Sequence, residues 1–271
     1  MAALVGFAAN SLLCRAALRP GLADAATFTT LRIVAGALTL WLLAGLGPRA
    51  IFRAGSWPSA AALFAYAAAF SFAYVRIGAA VGALLAFGAV QATMIAWALR
   101  SGERPTAAEW TGLALAAAGL TFLVSGGISA PDPAGAALML AAGVAWGVYS
   151  LRGRSSVRPL ETTAAHFARA VPLTVLLSLA TPGPAHVTGR GAALAVASGA
   201  IASGVGYSLW YAALPGLTAT RAAVVQLAVP VLAAAGAVWL LGETLTPRLL
   251  ASAAAILGGI ALAVLRRRAP G

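Results

Sequence analysis

Polar and aromatic side chains recur at helical spacing inside stretches that are otherwise Ala, Leu, Val and Gly. Tyr66, Phe70 and Tyr74 stand four apart, and Ser203, Tyr207 and Tyr211 repeat the pattern with Trp210 beside them. Trp146 is followed by Tyr149 and Ser150, and amides stand at Asn10, at Gln91 between Phe87 and Met94, and at Gln226. Residues three or four apart share a helical face, so these groups can converge on one cavity of phenol, indole, amide and hydroxyl groups. The chemistry open to such a set is reversible binding: hydrogen bonds for the polar part of a small solute and ring faces for the rest. A solute site is therefore expected from Asn10, Tyr74, Gln91, Trp146, Tyr149, Tyr207, Tyr211 and Gln226. The competing reading makes individual rings interhelical packing or an interfacial belt. Trp57, Trp97, Trp110 and Trp239 lie near the ends of apolar runs and are assigned to that belt.

Bond-making chemistry finds little to work with. Ser203 and His166 are the only candidate nucleophile and base within apolar runs, and no Gly-x-Ser-x-Gly elbow is present. Two His, one Cys and carboxylates confined to the ends of runs supply no metal-ligand cluster. There is no Lys in the chain, hence no phosphate-binding loop of the Gly-Lys-Ser type. An intramembrane enzyme is the weakest alternative, and no cofactor and no metal are expected.

The elements that must position these groups are membrane spans. Hydrophobic residues make up 61% of the chain and charged residues 9%, against roughly a quarter charged in soluble domains. A hydrocarbon core about 30 Å thick needs about 20 apolar residues per helix. Runs of that order are expected at Ala2–Leu18, Ala25–Leu46, Trp57–Val75, Gly78–Leu99 and Ala108–Ser125. A second set is expected at Ala134–Leu151, Thr162–Ala180, Gly191–Ala213, Thr218–Leu241 and Pro247–Leu265. Plentiful Ala and 30 Gly allow close helix approach where lipid gives no hydrophobic drive for association. The first run lacks the basic leading region of a signal peptide and reads as a span. The expected fold is an all-α integral membrane protein with ten transmembrane helices.

The chain also repeats itself. Glu103 falls on Glu243, Thr106 on Thr246, Gly119 on Gly259 and Val124 on Val264, all at an offset of 140. Upstream the offset is 137, placing Gly6 on Gly143, Arg15 on Arg152, Arg32 on Arg169, Phe70 on Tyr207 and Tyr74 on Tyr211. Residues 1–128 and 134–268 thus read as two five-helix units. With an odd number of spans per unit the second enters from the opposite side, so the repeat is inverted.

All 18 basic residues are Arg. With a cytoplasmic N-terminus, inside loops hold Arg49, Arg53, Arg100, Arg104, Arg152, Arg154, Arg158 and Arg266 to Arg268, ten in all. Outside lie Arg15, Arg19, Arg76, Arg190 and Arg248. Ten against five places both termini in the cytoplasm. The net charge of +12 is then a topology signal, with no basic stripe for nucleic acid.

Inverted repeats are common in secondary transporters, with the solute site near the midplane between the halves. The paired segments ending in Gly102-Glu103-Arg104-Pro105 and Gly242-Glu243-Thr244-Leu245-Thr246-Pro247, with Pro230 and the early helical Arg32 and Arg169, carry a family resemblance over nearly the whole chain. The chain resembles the EamA family of the drug/metabolite transporter superfamily, and within it the YddG-type exporters of aromatic amino acids. The resemblance implies a metabolite exporter of the bacterial cytoplasmic (inner) membrane; a small-molecule substrate, lipid surroundings and a monomer are expected. One departure is visible: Val90-Gln91 stands where the family usually has the proline seen as Pro230, so the fourth helix is expected to bend differently from the ninth.

Proton-coupled transporters commonly carry Asp, Glu or His within spans. Here Asp24, Glu103, Glu109, Asp132, Glu161 and Glu243 all map to loops or span ends, leaving His166 as the one group that could switch near neutral pH. Facilitated export of neutral or zwitterionic amino acids by alternating access is therefore expected. The alternative is a proton-coupled exporter of drugs, nucleosides or other metabolites. Arg32 and Arg169 are expected to snorkel to an interface or to bind carbonyls at a neighbouring helix end, and Arg15 and Arg221, near span ends, to snorkel. Glu103 and Glu243 are read as helix-end structure.

Overall fold

The computed structural model describes residues 2–45, 47, 54–100, 106–125, 127, 130–153, 156–213, 226 and 228–265. Among these residues the regular structure is helix, joined by short turns and irregular segments, with one isolated antiparallel bridge between Ala23 and Val187. The helices are α1 (Ala2–Leu18), α2 (Ala25–Ala44), α3 (Trp57–Arg76), α4 (Ala79–Arg100) and α5 (Ala107–Val124). They continue as α6 (Pro133–Gly153), α7 (Pro159–Ala180), α8, α9 (Ala228–Leu241) and α10 (Pro247–Leu265). Helix α8 runs as Gly189–Ala197, widens to a π-helix over Ser198–Val205 and closes as Gly206–Ala213. Seven of these stretches, α2 to α8, are long and apolar enough to cross a membrane, and three shorter apolar helices accompany them.

The helices begin where the sequence supplies acceptors for their orphan N–H groups. At α5, Thr106 and Glu109 form a reciprocal capping box, with Glu109 Oε2 accepting from the Thr106 N–H at 2.6 Å. Ser56 caps α3 with Pro58 following, and Thr188 caps α8. Asp24 caps α2 through the Thr27 N–H at 2.8 Å and accepts the His186 N–H at 2.8 Å, tying the α1–α2 turn to the α7–α8 turn. Burial pulls the Asp24 carboxyl upward, but hydrogen bonds from Thr27, His186 and Ala26 outweigh it and hold the group below the ordinary carboxylate range. Several helices start earlier than expected, α7 at Pro159 rather than Thr162, because Pro is tolerated in a first turn. Helix α4 runs unbroken through Val90 and Gln91. Pro172 lies inside α7, where it removes one backbone bond.

The helices pack through small residues. The most extensive contacts are α5 with α10, α3 with α6 and α7, α4 with α6 and α9, α2 with α7 and α8, and α1 with α8 and α9. A Cβ at Gly259 would fall on the Gly112 carbonyl of α5, so α5 and α10 approach to backbone contact there. Trp57, Trp97, Trp110 and Trp239 stand on the outer surface, 54% to 91% exposed.

Candidate solute-binding site

A cavity opens between α1, α3, α4, α6 and α8. Six rings line it: Phe7, Tyr66, Phe70, Phe87, Trp146 and Tyr207. Asn10 and Ser11 supply its polar groups, and Ala83, Ala86, Val90 and Gly143 its floor. Its volume is about 30 Å³, room for a water or two rather than for an amino acid.

Trp146 is the hub of the ring cluster, with centroids 4.9 Å from Tyr66, 5.0 Å from Tyr207 and 5.5 Å from Tyr149. Phe7 meets Tyr207 edge-on at 5.6 Å, a favoured aromatic arrangement. A polar line crosses the same region. Ser198 Oγ donates to Asn10 Oδ1 at 2.5 Å, Asn10 Nδ2 donates to the Tyr66 hydroxyl at 3.2 Å, and Arg32 Nη2 donates to that hydroxyl at 3.1 Å. The π-helical stretch of α8 supplies Ser198, the one member from the second half of the chain.

Of the eight residues expected at the site, Asn10, Trp146 and Tyr207 line the cavity. Tyr74 is buried beside it, stacked edge-on against Phe70 at 4.6 Å and packed under Gly82. Gln91 is buried one position beyond Val90 and outside the lining. Tyr149 turns to His166, whose Nδ1 lies 3.3 Å from its hydroxyl. Gln226 is helical and half-buried, away from the cavity. The side chain of Tyr211 lies outside the described residues, as do Glu103 and Arg221. The lining residues that the sequence reading left out are mainly apolar. Ala83, Ala86, Phe87 and Val90 do share one face of α4, but in an apolar span every face looks alike.

The arginines divide. Arg169 binds carbonyls, donating to Ala54 O at 2.5 Å and to Ala165 O at 3.4 Å, as its helix-end reading required. Arg15 does not snorkel: its Nε lies 3.3 Å from Glu243 Oε1, and its Nη1 donates to Tyr74 O at 2.7 Å. Arg32 does not snorkel either and is 1% exposed. Glu243 also accepts the Ala79 N–H at 2.9 Å and the Ala80 N–H at 3.4 Å, so it caps α4 from a distant part of the chain. The ends of α1, α3, α4 and α9 are clasped together at this face. Past the far end of the cavity, a vestibule of about 420 Å³ opens among Gly55, Ser56, Ser59, Arg152, Thr162 and His166. Ser203 Oγ is buried without a hydrogen-bond partner, so it forms no pair with His166.

Residues 133–265 match the model of the EamA-like transporter family. An uncharacterized protein of Pseudomonas aeruginosa is 53% identical over 261 residues, covering 96% of this chain and 91% of its own. The chain belongs to the EamA-like transporter family. This EamA-like transporter is also 28% identical to the uncharacterized transporter YwfM of Bacillus subtilis, over 85% of this chain and 81% of the relative. It is 29% identical to a probable amino-acid metabolite efflux pump of Salmonella typhimurium, over 71% of this chain and 70% of that one. A solved crystal structure 25% identical to it superposes with a TM-score of 0.69, covering 98% of this chain and 99% of the other. The EamA-like protein is a multi-span membrane transporter rather than an enzyme.

Proposed function

We propose that this EamA-like transporter exports small metabolites, neutral and aromatic amino acids above all, by facilitated alternating access across the bacterial inner membrane. The observation that carries the reading is the ring-lined cavity with its amide and hydroxyl groups and, among the described residues, no carboxylate beyond the first turn of a helix: Glu109 and Glu161 both stand in first turns. Rings and an amide suit an uncharged or zwitterionic solute, and among the described residues no acidic relay crosses the spans. The Salmonella relative's name agrees with this substrate class and with the YddG-type resemblance. A cavity of about 30 Å³ with one clasped end and one open vestibule fits an occluded stage between loading and release.

The reading includes ten spans in two inverted five-helix units, residues 1–128 and 134–268, acting as a monomer. The packing supports it. Exchanging each helix for the one five positions later carries the α3–α6 contact onto α8–α1 and the α4–α6 contact onto α9–α1. The α5–α10 and α2–α7 contacts map onto themselves, and the repeat-mates Gly119 and Gly259 both lie in the α5–α10 seam.

Flux is the test. Reconstituted protein should exchange labelled leucine or phenylalanine at equal rates with and without an imposed pH gradient, and His166→Ala should behave alike. Concentrative uptake driven by the gradient would contradict facilitated export, and its loss in His166→Ala would make that histidine the relay.

Orientation has its own check. In this reading the vestibule end and both termini are cytoplasmic. Cys14 is fully buried at 0% exposure and gives no background to thiol labelling. Val157→Cys, at a position 95% exposed, should react with an impermeant maleimide only after the membrane is opened. Ala185→Cys, in the exposed α7–α8 turn at the clasped end, should react in intact cells. The reverse pattern inverts the topology.

A further inference from the structure

Arg32 is a fixed charge without a fixed counter-charge. It stands at the eighth position of α2 and is 1% exposed. One nitrogen, Nη2, donates to the Tyr66 hydroxyl, while Nε and Nη1 are buried with no hydrogen-bond partner. The described carboxylates are engaged at helix ends: Asp24 with Thr27 and His186, Glu109 with Thr106, Asp132 with Arg76, Glu161 with Arg158, and Glu243 with Arg15. The repeat-mate Arg169 solves the same problem with backbone carbonyls, so the orphaned donors of Arg32 are not a general consequence of an arginine in this place. An uncompensated charge away from water is costly, and ionisable residues in spans that bear this cost commonly mark a solute path.

The position of the guanidinium says what would neutralise it. Its carbon lies 5.2 Å from the centroids of both Tyr66 and Phe70, two rings of the cavity wall. The cation is thus one ring behind the cavity, joined to it by the Arg32–Tyr66–Asn10 hydrogen bonds. A carboxylate is the planar anion that guanidinium donors bind best among metabolite groups of this size. We propose that Arg32 is the anchor for a carboxylate on the transported solute. The solute's apolar body lies among Trp146, Tyr207 and Phe7, and the acid group reaches Nε and Nη1 as the Tyr66 ring turns aside. The inference rests on the cavity being the transport site, and it narrows the substrate to carboxylates with an apolar body, excluding nucleosides and simple amines.

Melting of the purified full-length protein in detergent tests it with three probes: phenylalanine, phenylalaninamide and 3-phenylpropanoate. The two acids should raise the wild-type melting midpoint, and the amide should not. Arg32→Gln should abolish the acid-specific shift, Arg32→Lys should retain it at an affinity at least tenfold weaker, and Tyr66→Phe should keep discrimination between acid and amide. Equal shifts with acid and amide, no shift with any probe, or an acid-specific shift surviving in Arg32→Gln would each overturn the proposal. Should Arg32→Gln fail to fold, the wild-type comparison and Arg32→Lys decide it. Counterflow of labelled phenylalanine separates the two readings. Arg32-dependent binding without flux removes the transport reading alone, and equal exchange of acid and amide removes the anchor alone.

Discussion

Glu243→Ala should lose about 3–5 kcal/mol of stability, the usual penalty for stranding one member of a buried, hydrogen-bonded ion pair. The Glu243 and Arg15 side chains are each 11% exposed, so solvent screens them little. Removing the carboxylate leaves the Arg15 guanidinium with its Tyr74 and Val75 carbonyls only, and deprives the Ala79 and Ala80 N–H groups of their acceptor. A carboxylate at a helix N-terminus also opposes the positive end of the helix dipole, and that interaction goes with it. For a chain of this size the expected fall in melting midpoint is on the order of 10 °C. Arg15→Ala should fall by a similar amount, and the double variant by much less than the sum, because the two residues act as one unit. Glu243→Gln, which keeps an oxygen acceptor, should lie between. Midpoints within a degree of wild type, or an additive double variant, would show that the pair contributes nothing to the clasp.

Trp146→Ala should lower exchange flux at least tenfold while leaving folded protein recoverable. The indole touches Tyr66, Tyr207, Tyr149 and Phe7, which makes it the hub of the ring cluster among the described residues. Its loss converts a ring-lined cavity into an open, poorly defined one, and costs about 3–5 kcal/mol if the neighbours do not collapse. Two variants separate binding from folding. Trp146→Phe keeps a ring at the hub and should retain a substantial part of the flux. Tyr74→Phe alters a ring outside the lining and should leave the solute KM unchanged. Size-exclusion profiles of each variant report the folded amount, against which flux is normalised. Wild-type flux in Trp146→Ala would make the ring cluster packing alone.

The helices were legible because each is a long apolar run ended by a cap or a turn. The expected ends of α1 and α10 coincide with those observed, Ala2–Leu18 and Pro247–Leu265. The faces were less legible. Four-residue spacing placed Tyr66, Phe70 and Tyr74 on one side of α3, and the structure keeps them in one stack. Which members meet the cavity depends on where α4 and α6 cross, so Tyr66 and Phe70 line it and Tyr74 does not. Gln91 and Tyr149 lie outside the lining for the same reason: helical spacing names a face of a span, not what that face meets. Arg15 and Arg32 departed from expectation on other grounds. Arg15 pairs with a carboxylate 228 residues away, a separation at which single-sequence spacing carries no information. Arg32 looked identical to Arg169 in sequence, and only packing gives one its carbonyls and the other an aromatic enclosure.

The close crossings of α8 have a mechanical meaning. A Cβ at Gly6 of α1 would lie 3.3 Å from the Ala202 carbonyl oxygen and 3.5 Å from Gly206 Cα. A Cβ at Gly199 would fall on the Arg32 carbonyl of α2, three residues before Ala202 meets α1. Side chains cannot act as cushions at such points, so two helices in backbone contact can turn about the contact but can scarcely slide past it. The crossings therefore resemble the pin of a pair of scissors, and the Ser198–Asn10 hydrogen bond lies beside that pin. A small rotation there would displace the helix ends most and the pin itself least, widening one mouth of the bundle as the other narrows.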